Sequence, residues 1–197
     1  MTVSTLYRWS GFASILTGLI LAASMIARFS GQALLAQATS FTAVLLLVFA
    51  LTGQYAAQAS RGGRLAFAGY LLAAAGSILT EVISFLWIAT LAGISEAHAV
   101  VMFSWGTLPV LHVAVVGSFL GFLLYGIATM RAGVFPRWTG LVMAVSITAY
   151  TLAEYFMMLY MLALPAVLAL CISQIAIGGT LIARTARQPV IAAAVAS

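Results

Sequence analysis

The sequence predicts an all-α fold: a polytopic membrane bundle of six transmembrane helices, built from repeated helical hairpins, with both termini cytoplasmic. Three observations predict it. Apolar residues fill 64% of the 197 positions and charged residues 6%. That leaves too little polar surface for a water-soluble globule. The apolar residues fall in six long runs, and seven of the eight arginines lie on one side of the membrane if each run crosses it.

Each run is justified by length. A bilayer core of ~30 Å needs about 20 apolar residues in a helix. Lipid offers no hydrogen bonds, so the backbone must satisfy itself within each span. The spans are Trp9–Ala27, Phe41–Gln58, Leu65–Ala92, Pro109–Met130, Trp138–Leu159 and Pro165–Ala183, in one integral membrane domain over residues 1–197. Arg8 precedes the first. Arg61 and Arg64 join the second and third, Arg131 and Arg137 the fourth and fifth, and Arg184 and Arg187 follow the sixth. The other side carries only Arg28, set against Glu96. Positive residues stay inside, which predicts a bacterial plasma membrane protein with both ends in the cytoplasm. A cleaved signal peptide over the first run is the weaker reading: the run is long for a signal core, and its loss would leave an odd number of spans.

Two openings match, Arg8-Trp9-Ser10-Gly11 and Arg137-Trp138-Thr139-Gly140. Arg64 to Glu81 and Arg137 to Glu154 are both 17 residues, and Tyr55 and Tyr125 each lie six before an arginine. These coincidences predict a hairpin repeated in parallel, an arrangement known in transporters. The Leu6-Tyr7-Arg8-Trp9-Ser10-Gly11 opening and the Phe135-Pro136-Arg137-Trp138-Thr139-Gly140 turn resemble those of small, uncharacterised bacterial six-span membrane proteins, families named only as domains of unknown function. The resemblance implies the layout and no activity.

The ionisable groups are segregated. Glu81 and Glu154 each lie ~25 Å along a helix from the preceding arginine, and His112 lies ~28 Å from Arg131. All three fall at the outer depth. An ionisable group within a span is costly and usually faces a bundle interior or a watery cavity. Glu81, His112 and Glu154 are therefore the candidate ligand- and proton-binding residues of an outward pocket, with a proton shared between the glutamates. The plainer reading is that each snorkels to outer water or bonds a neighbouring hydroxyl. The outer loop, residues 93–107, holds Glu96, His98 and Trp105 as further candidates. It is too apolar for a freely solvated loop and reads as an interfacial amphipathic helix or as a lid over the pocket.

Several chemistries are disfavoured. The chain has no lysine and no aspartate, hence no Schiff base, P-loop or phospho-aspartate. Gly-x-Ser-x-Gly is missing. The single Cys171 allows no internal disulfide. Scattered arginines do not make a nucleic-acid footprint. No HExxH spacing points to a metal, no catalytic residue is named, and the sequence specifies no cofactor. The expected partners are the lipid bilayer, a small lipophilic ligand and subunits of a membrane complex. Three functions follow: binding or transport of a small amphipathic or lipophilic ligand; an accessory or scaffolding subunit; and, behind both, a lipid-acting intramembrane enzyme, with or without a metal.

Overall fold

The computed structural model describes residues 3–93, 107–155 and 161–196. Among them are five helices: α1 (Val3–Phe29), α2 (Ala33–Leu91), α3 (Thr107–Ala132), α4 (Arg137–Tyr155) and α5 (Ala163–Ala196). Four regions are long and apolar enough to cross a membrane: Val3–Phe29, Ala33–Val82, His112–Ala132 and Ala163–Ala186.

The fold is all-α, but the six-helix bundle of repeated hairpins is corrected to five helices with four candidate spans. Two observations account for the difference. The second and third runs form one continuous stretch, α2, in which two helices meet at a kink with no loop between them. The fifth segment, α4, is 19 residues long and carries Arg137, Thr139, Ser146, Thr148, Thr151 and Glu154. As described it ends at Tyr155, before the predicted end at Leu159, and it is not among the four.

The bend in α2 sits at Gly63, with φ 56° and ψ −152°. Only glycine adopts that conformation readily. The two arms fold back on each other: Tyr55 stacks on Tyr70 at 4.9 Å between ring centroids, and Phe41 meets Phe85 at 6.2 Å. The matching residues run in opposite directions, so the arms are antiparallel.

The connection from α1 to α2 is also shorter than expected. Gln32 N donates to Ala27 O at 2.9 Å and Gly31 N to Arg28 O at 3.2 Å. The turn is complete by Gln32, and the helix resumes at Ala33 rather than Phe41. Gln37 and Ser40 thereby become helical.

The helices close into a ring. α1 packs on α2 and α5, α2 on α3, α3 on α4, and α4 on α5. Small residues allow the approach. A Cβ on Gly11 would stand 2.9 Å from Gly178 O, and one on Gly18 2.7 Å from Cys171 O. The Gly117–Gly121 pair of α3 faces the second arm of α2: a Cβ on Gly121 would overlap the Ala73 backbone. The GxxxG face is therefore an internal contact. At the arginine-bearing end, Arg184 donates to Val134 O and lies 5.9 Å from the Phe135 ring centre. This ties α5 to the α3–α4 turn.

Candidate functional site

The ring surrounds a cavity of about 210 Å³. Every helix contributes to it. Its walls include Ser24 and Arg28 of α1, Gln37, Ser40, Ser77 and Glu81 of α2, Ser118 of α3, Ser146 and Tyr150 of α4, and Leu170 of α5. Its floor is apolar: Leu47, Phe122 and Ile147 line it and also belong to the main hydrophobic core.

The second arm of α2 aims polar groups inward. Ser77 and Glu81 are four residues apart, so they share a helix face. Glu81 is 5% exposed. Some cavity hydroxyls are already committed. Ser24 Oγ donates to Ala36 O at 2.9 Å, and Thr80 Oγ1 donates to Gly76 O at 2.9 Å. Two atoms are not. Glu81 Oε2 and Ser118 Oγ are buried without a hydrogen-bond partner among the described residues. A buried polar atom left unmatched is costly, and a carboxylate oxygen more so.

Of the predicted site residues, Glu81 and His112 have described side chains, and these two face different surroundings. Glu81 lines the cavity. His112 is on the exposed side of α3, and the cavity wall from that helix begins at Val115. Glu154 lies in α4, but its side chain is outside the described residues. Glu96, His98 and Trp105 are outside them too, as is the outer loop between Gly93 and Thr107. Among the described residues, no three of His, Cys, Asp or Glu are grouped to hold a metal ion.

A second polar layer lies beyond the apolar floor, nearer the arginine-bearing end. Gln54 Nε2 donates to Gln174 Oε1 at 2.8 Å and to Ser14 Oγ at 3.1 Å. Ser14 Oγ in turn donates to Gln174 O at 2.7 Å. All three side chains are fully buried. Beside them, Tyr125 OH and both amide atoms of Gln58 are buried close to each other, yet short of hydrogen-bond geometry.

Sequence reasoning overlooked much of this. Gln54, Gln58 and Gln174 are amides inside apolar runs, a signal as legible as that of Glu81. Arg28, Gln37 and Ser40 were hidden by the expected loop over that stretch. Ser118 gave no signal beyond its place in the GxxxG pair. No protein-family model matches the chain, and no curated protein or solved structure matches it either.

Proposed function

We propose that the chain binds, or carries across the membrane, a small amphipathic or lipophilic ligand whose polar group is received in the central cavity by Glu81. One observation carries the reading: a carboxylate oxygen, buried and unpartnered among the described residues, opens on a cavity walled by all five helices. A fold that removes a carboxylate from water usually recovers the cost from a partner. Here the ligand is that partner. On this reading the protein sits in a bacterial plasma membrane with both ends in the cytoplasm, because the arginines gather at the end holding the α2 bend and the α3–α4 turn.

The test compares wild type with Glu81→Gln and Ala166→Phe. Ala166 lines the cavity and is buried, so phenylalanine fills the space without removing a polar group. Each protein is purified in native lipid discs, and its bound small molecules are extracted and read by mass spectrometry. A species held by wild type and depleted in both variants supports the reading. Identical extracts from all three proteins overturn it.

A further inference from the structure

Glu81 also borders a second space. A groove of about 310 Å³ runs down the outside of α2, between its two arms. The first arm gives Phe41, Val44, Leu45 and Val48; the second gives Ile78, Glu81, Val82 and Phe85. Each set is spaced i, i+3, i+4, i+7, one helical stripe. Glu81 is the single polar member of the eight. Leu45, Ile78, Val82 and Phe85 are each at least half exposed. In a bilayer this groove would face acyl chains. Val44 and Glu81 line both the groove and the cavity, so the two spaces meet at the carboxylate.

We infer that the groove is a lateral entry and tail site for a single-chain cationic amphiphile. Its protonated amine pairs with Glu81 and its chain lies between the arms of α2. This rests on the cavity being a ligand site and names the ligand's class and route. Size argues for the division of labour. The cavity of about 210 Å³ is below the roughly 300–1,000 Å³ usual for a whole ligand, so it suits a head group. The groove extends seven residues along each arm, ~10 Å, with almost no polar lining. Charge argues for the head. An unpartnered carboxylate in apolar surroundings gains most from a cation that also donates hydrogen bonds. Phe119, Phe122 and Tyr150 in the cavity wall present aromatic surface that cations favour. Arg28, also in that wall, keeps an interaction of its own within the protein.

The experiment measures equilibrium binding of radiolabelled dodecylamine to the full chain in lipid nanodiscs, with empty nanodiscs as blank. Butylamine, which has a head and almost no tail, reports on the cavity alone. Dodecanol reports on the tail without the charge. Leu45→Trp and Val82→Trp block the groove from its exposed side, and either serves if the other folds poorly. Saturable dodecylamine binding is expected, weakened at least about tenfold by Glu81→Gln, the size of a lost charge-assisted contact. The tryptophan variants should weaken dodecylamine severalfold and leave butylamine unchanged, and dodecanol should not compete. Dodecylamine binding that needs Glu81 but ignores both tryptophans would overturn the groove and leave the cavity reading intact. Equal binding of dodecanol, or no saturable dodecylamine binding, would overturn the cationic class. If neither amine responds to Glu81→Gln, both readings fall.

Discussion

At the scale of single residues, the interior holds polar groups of two kinds. Glu81 is unmatched on its Oε2 side among the described residues, whereas Ser14, Gln54 and Gln174 bond one another across three helices, with only Gln54 Oε1 and Gln174 Nε2 of that group left over. The two kinds predict opposite outcomes. Glu81→Leu removes a group that costs stability, so the apparent Tm in detergent should rise, with a gain of about 1–3 kcal/mol. A thermal melt that fell instead would mean Glu81 is structurally paired. Gln54→Leu deletes two donations and leaves Gln174 Oε1 with only the Ser14 hydroxyl as donor. It should lower stability by about 1–2 kcal/mol, near the upper range for hydrogen bonds between membrane helices, measured by unfolding in mixed micelles. Glu81 was legible as a carboxylate inside an apolar run. The amide network was equally legible by composition, but its pairing was not. Positions 14, 54 and 174 are brought together only by packing.

At the scale of elements, glycine has two different jobs. Gly63 has a backbone conformation that other residues resist, with nothing near its Cβ position, while Gly179 is helical with equally open space. Gly63→Ala should therefore destabilise by about 1–3 kcal/mol through backbone strain alone. Gly179→Ala should stabilise by roughly 0.5–1 kcal/mol. Paired melts of the two variants check this, and a common sign would refute the conformational account. Gly121 does a third thing, admitting the α2 backbone. Gly121→Val should cost about 1–3 kcal/mol by overpacking. The sequence marked Arg61-Gly62-Gly63-Arg64 as the joint between two runs. It did not reveal that helix would continue on both sides without a loop. Nor did it show helix from Ala33, because the polar letters from Ser30 to Ser40 resemble a connection until the turn at Gly31 is closed by its hydrogen bonds.

At the scale of the whole molecule, antiparallel packing of α1 on α5 puts the Gly11 and Gly178 ends together. The start of α1 and the latter half of α5 therefore share one end of the ring. Val3→Cys and Ala186→Cys, each in a Cys171→Ala background, should both escape a membrane-impermeant maleimide in intact cells and react after permeabilisation. Labelling of one without the other would contradict the shared end. Labelling of both in intact cells would invert the orientation argued from the arginines. The whole molecule also decides which outer-depth residues can cooperate. Equal depth along separate helices suggested one cluster. Rotation about each helix axis places Glu81 on the cavity and leaves His112 exposed.

Composition and charge order alone determined that this chain is helical, that its long apolar segments suit a bilayer, and that its arginines other than Arg28 flank those segments on alternate connections. Those properties depend on transfer of side chains and backbone between water and lipid, which needs no knowledge of neighbours. Only the tertiary structure decided that two runs meet at a kink and fold back on each other, and that a carboxylate sits where a cavity and a groove meet. Those depend on helix rotation and close approach between backbones, and residues far apart in the chain set them jointly.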